Sequence, residues 1–359
     1  MSGTDAETRL PTGGTSRRAG VVNVLRIALT VLVVVAALWQ LVIHWQEVAD
    51  TVAGLQWHRA LLAQVMIFLG FGCSTLSWQV LLDDLGKPIG LRRGAQIFLV
   101  GQLGKYLPGS VWAYVLQIEL GHKAGLERAR VFAATVFSVV VGVVAALFAG
   151  ALAIPRLVEQ DPRLAWLPWL YLVLPVALVM LYPPVLTAIV RFGFRLLRRP
   201  RPDHPIAARA VIASLAAALG TYLFFGLHLW MLADTREGLT LSPLSLCIGT
   251  MAIAMLAGLA FFMLPSGVGA REFVIVIALT PLVGIGRATA YAAVSRAMFI
   301  LAELLAAGTA AGVAVLARRR EGSGLQALVA ATPFVARPTS GAARQTGTTA
   351  GTAGDSASA

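Results

Sequence analysis

Two similar turns interrupt long apolar stretches of the chain: LPGSV at residues 107–111 and LPSGV at residues 264–268. The first turn lies inside the stretch 94–120, and the second lies inside 243–280. Proline ends a helix because it lacks the backbone N–H, and a following glycine lets the chain turn. Each stretch is therefore predicted to be a broken helix rather than a continuous one.

The sequence around the two turns is repeated. The turns lie 157 residues apart, and 159 residues separate GLERA at 125–129 from GIGRA at 284–288. One long apolar stretch precedes each broken helix and another follows it. We interpret the order of helix, broken helix and helix as an internal duplication. Its halves are placed at about 60–154 and 206–317.

Composition indicates a membrane protein. Hydrophobic residues make up 58% of the 359 residues, and charged residues make up 13%, whereas soluble domains are roughly 25% charged. The mean hydropathy is +0.78. The net charge of +12 would suggest nucleic acid for a soluble protein, but in a membrane protein it favours cytoplasmic loops and anionic lipid. We expect no nucleic-acid partner.

Six unbroken apolar stretches can each cross a bilayer core of about 30 Å, which needs about 20 helical residues. They are residues 21–43, 60–82, 131–154, 166–190, 206–232 and 289–317. We predict an integral membrane domain at 21–320. A disordered cytoplasmic N-terminus is expected at 1–20, and a disordered cytoplasmic tail rich in Ala, Gly, Ser and Thr is expected at 321–359.

The distribution of basic residues predicts the topology. If each broken helix is a re-entrant hairpin and the N-terminus is inside, the cytoplasmic segments hold 17 Lys and Arg residues and the outer segments hold 5. If each broken helix crosses once, the division is 12 to 10. The positive-inside rule favours hairpins, although 243–264 alone is long enough to cross. The hairpins then enter from opposite sides, which makes the repeats inverted, as in many transporters.

The hairpin tips are the first candidate site. Ser110 and Ser266 are placed as N-caps of new half-helices, whose free N–H groups and positive ends bind anions near the bilayer centre. The alternative is a proline-kinked helix without a ligand. The candidate residues of the tips are Pro108, Gly109, Ser110, Pro265, Ser266, Gly267 and Gly269.

Ionisable residues at membrane depth are the second candidate, because charge in the bilayer is costly and marks functional sites. They are Lys105, Arg271, Glu272, Arg296 and Glu303. The alternative is a structural ion pair that neutralises Arg271 or Arg296. Arg296 and Glu303 lie on one helix face about 10 Å apart, so they need other partners or bridging water. We find no catalytic residue, metal site or cofactor motif; Cys73 and Cys247 are interpreted as packing residues.

Three segments together carry a family resemblance: LGKYLPGSVW at 103–112, GHKAGLERA at 121–129 and FFMLPSGVGAREF at 261–273. Over roughly 20–320 the chain resembles the lysylphosphatidylglycerol synthase transmembrane family, which is also called flippase-like. Ser266 replaces the first glycine of that family's Pro-Gly-Gly-x-Gly-x-Arg-Glu element. The resemblance implies movement of anionic or lipid-linked headgroups across the bilayer. The best-known members carry a soluble aminoacyl-transferase domain; we expect none in the short segment after residue 320, and hence no lysyl transfer.

The resulting prediction is an all-α, polytopic membrane protein with about six transmembrane helices and two re-entrant hairpins in an inverted repeat. We expect it to be a transporter of a lipid or lipid-linked saccharide in the bacterial cytoplasmic membrane, with both termini cytoplasmic and no cofactor. A membrane enzyme that makes the lipid is a candidate partner, and the oligomeric state is open. The alternatives are a secondary transporter for a small anion and a membrane transferase or phosphatase acting on lipid.

Overall fold

Helices account for the regular structure of the described part of the chain. The computed structural model describes residues 46, 49–50, 53–54, 56–106, 111–160, 162–196, 206–233, 241–261 and 267–331. Within these residues there are α-helices and short 3-10 helices and no strands, which confirms the predicted all-α class. The predicted first span, 21–43, and the N-terminal segment 1–20 lie outside the described residues.

The α-helices of the described residues are numbered here in chain order. They are α1 (Trp57–Asp84), α2 (Leu91–Gln102), α3 (Val111–Lys123), α4 (Arg128–Ala151), α5 (Ile154–Gln160), α6 (Val173–Met180), α7 (Pro183–Leu196), α8 (Ala208–Leu232), α9 (Leu241–Ala260), α10 (Ala270–Val283) and α11 (Ile285–Ala331). Short 3-10 helices cover Leu103–Tyr106, Pro162–Leu164 and Leu167–Leu172.

Six described helical segments are long and apolar enough to cross a membrane, with mean hydropathies from 1.5 to 2.6. They are Trp57–Asp84, Arg128–Ala151, Pro162–Met180, Ala208–Leu232, Pro243–Ala260 and Ile285–Val313. Five of them overlap predicted spans. The sixth, Pro243–Ala260, belongs to the second broken stretch, whose first half was already noted to be long enough to cross.

The span predicted at 166–190 is less regular than expected. Two 3-10 helices precede the short helix α6, and the chain leaves helical structure at Leu181 and Tyr182 before α7 starts at Pro183. Prolines 183 and 184 supply no backbone N–H, so they fit the first turn of a new helix but not the interior of the old one. The apolar side chains of this region are largely exposed, including Leu172 at 66% and Val176 at 63%. An apolar surface of this kind is suited to contact with lipid.

Helices α1 and α8 pack against each other along their length. His228 Nδ1 lies 3.2 Å from the carbonyl oxygen of Ala63, and the hydroxyl of Ser77 lies 2.8 Å from that of Ser214. Contact positions rise along α1 as they fall along α8, so the two helices are antiparallel. These are the helices that open the two predicted repeat halves.

The first broken stretch folds into a pair of short helices. Helix α2 has 12 residues and α3 has 13, so each is about 20 Å long at most and too short to cross a 30 Å core. A Cβ atom at Gly104 would lie 2.7 Å from Ala113 Cα. The absence of a side chain therefore lets the 3-10 turn after α2 lie directly on α3. The connecting residues 107–110 lie outside the described residues.

The second broken stretch also folds into packed helices. Helix α9 has 20 residues and α10 has 14. Gly267 has φ +64°, and a Cβ atom there would lie 2.6 Å from Gly258 Cα on α9. Only glycine satisfies both the backbone conformation and this contact. The packing returns the chain onto α9 before α10 begins; residues 262–266 lie outside the described residues.

The main apolar core lies where α1, α8, α9, α10 and α11 meet. Its largest side chains include Ile67, Phe225, Leu229, Met251, Leu279 and Phe299. Phe225 and Phe299 stack edge to face with ring centroids 4.9 Å apart, which is a favourable aromatic geometry. Phe299 also forms the floor of the charged cluster described below.

The chain divides into two units, residues 1–313 and 314–359. The first unit contains the candidate site. In the second unit α11 extends to Ala331, so residues 321–331 of the segment predicted to be a disordered tail are helical. Alanine and leucine in this part are strong helix formers. Residues 332–359 lie outside the described residues.

Candidate functional site

Glu303, inside α11, binds two side chains from the first broken stretch. Lys105 Nζ lies 2.5 Å from Glu303 Oε1, and the Tyr106 hydroxyl donates to Glu303 Oε2 at 2.5 Å. The 3-10 turn after α2 presents both donors to one carboxylate. Glu303 is only 6% exposed, and a buried carboxylate needs hydrogen-bond donors within the protein. Lys105 and Tyr106 supply one donor to each of its oxygens.

Glu272, in the first turn of α10, connects the second broken stretch to the same helix. Its Oε2 accepts a hydrogen bond from the Gly269 backbone N–H at 2.7 Å, and its Oε1 lies 3.6 Å from Arg296 Nη1. The carboxylate therefore caps α10 and forms an ion pair with α11. An acidic side chain at this end of a helix is also favoured by the helix dipole.

Arg271 is buried but has no acidic partner among the described residues. It is 6% exposed, and its Cζ lies 4.6 Å from the centroid of the Phe299 ring. Its Nε is buried and lacks a hydrogen-bond partner. The neighbouring Glu272 is paired with Arg296 instead. The cation–π contact with Phe299 stabilises the guanidinium. Glu272 and Glu303 attract it from a distance, but among the described residues neither forms a salt bridge with it.

Helix α11 brings these charges together. Arg296 and Glu303 are seven positions and about 10 Å apart on one helix, and each has a partner from a different broken stretch. Such partners were expected from the spacing of the two residues. The charged cluster consists of Lys105, Arg271, Glu272, Arg296 and Glu303. These described residues carry three formal positive charges and two negative charges, an excess of one positive charge.

The positions of the remaining predicted site residues divide into two groups. Pro108, Gly109, Ser110, Pro265 and Ser266 lie outside the described residues, so the expected meeting of the hairpin tips stays a prediction. Gly267 and Gly269 are described and shape the backbone before α10. The described segments that flank both tips do contact α11.

The prediction that Ser266 caps the second half-helix is wrong. Helix α10 begins at Ala270, and Gly269 occupies the N-cap position. Gly267 and Gly269 have φ of +64° and +88°, which excludes an α-helix over these two residues. The helix therefore starts later than the serine, and Glu272 supplies the cap.

Sequence reasoning missed several neutral residues next to the charged cluster. Buried His228 contacts the Ser295 hydroxyl through Nε2 at 2.9 Å, and its ring packs edge to face on Phe299 with centroids 5.4 Å apart. Ser295 directly precedes Arg296 in α11. Tyr106 was also missed, although its position beside Lys105 was a usable signal.

The fold and the site define a polytopic helical membrane protein in which two broken apolar segments join a buried charged cluster on one helix. The chain belongs to the family described as lysylphosphatidylglycerol synthase TM region, whose family model matches residues 23–308. This match confirms the resemblance found in the sequence motifs. Comparison with curated proteins finds no match.

Proposed function

We propose that the protein moves the headgroup of an anionic phospholipid or a lipid-linked saccharide across the bacterial cytoplasmic membrane, as a transporter and not an enzyme. The observation that carries this proposal is Arg271, a buried cation without an acidic partner among the described residues. The membership of the lysylphosphatidylglycerol synthase TM region family supports a role in handling lipid.

The charges of the site favour an anionic ligand. A buried cation that forms no salt bridge is costly inside a membrane, and an anion bound at Arg271 would offset that cost. A guanidinium can hold two phosphate oxygens at once. Arg271 also lies in the first turn of α10, where the backbone N–H groups and the helix dipole favour the same negative charge.

The arrangement of the helices supports alternating access. Helices α1 and α8 open the two proposed repeat halves and are antiparallel, which is the relation that an inverted repeat requires. The charged cluster takes Lys105 from one half and Arg271, Glu272, Arg296 and Glu303 from the other. In transporters with inverted repeats the substrate binds where the two halves meet. Movement of the halves would then expose the cluster to each side in turn.

The proposed topology has re-entrant hairpins and both termini in the cytoplasm. The short lengths of α2, α3 and α10 support hairpins, because none of the three reaches across the hydrocarbon core alone. Helix α9 is long enough to cross, so in this topology it extends deeper than α2 before the chain returns.

The function can be tested with the purified protein in vesicles of phosphatidylcholine that contain a trace of fluorescent, tail-labelled phosphatidylglycerol. Dithionite quenching measures movement of the labelled lipid between leaflets. We expect Arg271→Gln to reduce the rate at least tenfold, and Arg287→Gln, an equal change at an exposed position of α11, to leave it unchanged.

Two results would contradict the proposal. Transport of phosphatidylglycerol by Arg271→Gln at the wild-type rate would exclude Arg271 from headgroup binding. Uptake of radiolabelled inorganic phosphate without any lipid movement would instead identify a transporter for a small anion. In that case the anion site would still be supported, but its substrate would be a small anion rather than a lipid headgroup.

A further inference from the structure

His228 of α8 links three helices from a fully buried position. Its exposed fraction is 0%, and α8 is one of the segments apolar enough to cross a membrane. Its Nδ1 lies 3.2 Å from the carbonyl oxygen of Ala63 on α1, and its Nε2 lies 2.9 Å from the hydroxyl of Ser295 on α11. A polar ring at this depth is costly unless its nitrogens are paired, and here both are.

The two hydrogen bonds fix the imidazole in one tautomer and one orientation. A carbonyl oxygen only accepts, so Nδ1 donates to Ala63. In the neutral ring Nε2 then accepts from the hydroxyl of Ser295, which is itself buried. Any rotation of the ring breaks both bonds. The imidazole is therefore a rigid support for the side chain that packs against it.

That side chain is Phe299, one turn after Ser295 in α11. The rings of His228 and Phe299 meet edge to face with centroids 5.4 Å apart, and Phe299 is 1% exposed. The carbonyl of the preceding residue, Met298, accepts a hydrogen bond from Gln64 Nε2 of α1 at 3.3 Å. Polar contacts from α1 and α8 therefore fix this turn of α11 on both sides of the aromatic ring.

Arg271 of α10 rests on the same ring. Its Cζ lies 4.6 Å from the centroid of Phe299, and no described carboxylate forms a salt bridge with it. The ring is thus one wall of the space that the guanidinium occupies, and a shift of the ring displaces the guanidinium. The contacts run from His228 through Phe299 to Arg271 and connect α8, α11 and α10 in that order.

We propose that His228 is a positioning residue of the anion site. It contacts no ligand and holds the Phe299 ring where Arg271 meets an anion. The inference rests on the proposed function and adds a residue to it. A site whose charged group is already in place binds more tightly, because binding does not have to order that group. Loss of His228 therefore weakens anion binding without changing a formal charge of the cluster.

The test measures the binding of phosphatidylglycerol to the purified full chain in detergent by native mass spectrometry. We expect His228→Leu to weaken binding about tenfold, because Arg271 is no longer held in place. Ser295→Ala keeps the imidazole and removes only one of its two bonds. It should weaken binding about threefold, and it decides the question if His228→Leu does not fold.

Ser214→Ala is the matched control for the loss of a buried hydrogen bond between helices. The Ser214 hydroxyl lies 2.8 Å from that of Ser77, so this pair also joins α8 to α1. Ser214 precedes His228 by 14 positions, which is about 21 Å along the helix. The control should lower the melting temperature and leave the binding of phosphatidylglycerol unchanged.

Combined changes test the order of the contacts. Phe299→Leu should weaken binding at least as much as His228→Leu does. Adding His228→Leu to Phe299→Leu should then have little further effect, because the ring through which His228 acts is gone. For the same reason His228→Leu should not change the residual binding of Arg271→Gln.

The outcomes separate this inference from the proposed function. If Arg271→Gln weakens binding while His228→Leu and Ser295→Ala do not, His228 has no positioning role and the headgroup site stands. The same conclusion follows if Ser214→Ala weakens binding as much as His228→Leu, or if the effects of His228→Leu and Phe299→Leu add. If Arg271→Gln leaves binding unchanged, the proposed function fails, and this inference fails with it.

Discussion

Lys105 Nζ lies 2.5 Å from Glu303 Oε1, although 198 residues separate the two along the chain. Lys105 stands just before the first broken turn, and Glu303 lies within α11. The pair therefore joins the two proposed repeat halves through opposite charges. Tyr106 donates a hydrogen bond to the other oxygen of Glu303, so one carboxylate accepts from both side chains.

Loss of the Glu303 charge should destabilise the protein. Glu303→Gln leaves Lys105 without an anion in a partly buried position, and breaking such a buried pair costs about 3–5 kcal/mol. The melting temperature in detergent should fall markedly. The double variant Lys105→Gln with Glu303→Gln should recover most of this loss, because no charge is then left unpaired. Additive effects of the two single changes would contradict the pairing.

Loss of the Arg271 charge should not destabilise the protein. Glu272 is already paired with Arg296 and bound to Gly269 N–H, so Arg271→Gln leaves no carboxylate without a partner. We expect a melting temperature equal to or above that of the wild type, together with the loss of lipid movement proposed above. Replacing a buried cation that forms no salt bridge by a neutral amide removes a desolvation cost.

The competing structural role predicts the opposite. If Arg271 neutralises Glu272, then Arg271→Gln lowers the melting temperature and the further change Glu272→Gln restores it. The same double variant should be less stable than Arg271→Gln in our interpretation, because the ion pair between Arg296 and Glu272 is then lost. Melting curves of the two variants distinguish these roles.

The sequence predicted the members of the charged cluster but could not predict their pairing. A charged side chain is costly to bury in a membrane, and this alone marks Lys105, Arg271 and Glu303 as candidate site residues within their apolar segments. The helical rise also excludes a direct bond between Arg296 and Glu303. Which acid meets which base depends on how segments separated by more than a hundred residues pack, and no local pattern carries that information.

Two other features depended on tertiary contacts. Gly267 adopts positive φ where it meets Gly258, and this delays the start of α10 beyond the predicted cap at Ser266. The cavity that Ser74, Gln102, Tyr114 and Ser138 line together with apolar side chains was missed because its residues are spread over several helices. Each of them, taken singly, resembles a polar residue at an ordinary helix contact.

The contact between Gly267 and Gly258 can be tested by adding one methyl group. Gly267→Ala places a Cβ atom 2.6 Å from Gly258 Cα at φ +64°, so it combines a clash with backbone strain. Gly284→Ala is the matched control, because Gly284 has φ +83° and open space around the added atom. The control should cost about 1–2 kcal/mol of unfolding free energy.

Gly267→Ala should cost clearly more than its control and should also reduce lipid binding, because the shift of α10 moves Arg271 and Glu272. Thermal melting and native mass spectrometry with phosphatidylglycerol measure the two effects. Equal melting temperatures for the two variants would show that the close approach of α9 and α10 contributes nothing to stability.

The two GhxRA segments, 125–129 and 284–288, should lie on opposite sides of the membrane, because the hairpin topology places 17 basic residues inside and 5 outside. Glu127 and Arg287 are exposed positions in these segments. Glu127→Cys and Arg287→Cys, in a background without Cys73 and Cys247, provide single labelling sites. In intact cells a membrane-impermeant maleimide should label the variant at 287 and spare the one at 127, and in inverted vesicles the result should be reversed.

Labelling of both sites from one side would exclude the inverted repeat, since equivalent loops of inverted halves must face opposite compartments. If position 127 is labelled only from outside, the broken helices are single crossings rather than hairpins. The proposed placement of the charged cluster between two re-entrant segments would then be wrong as well.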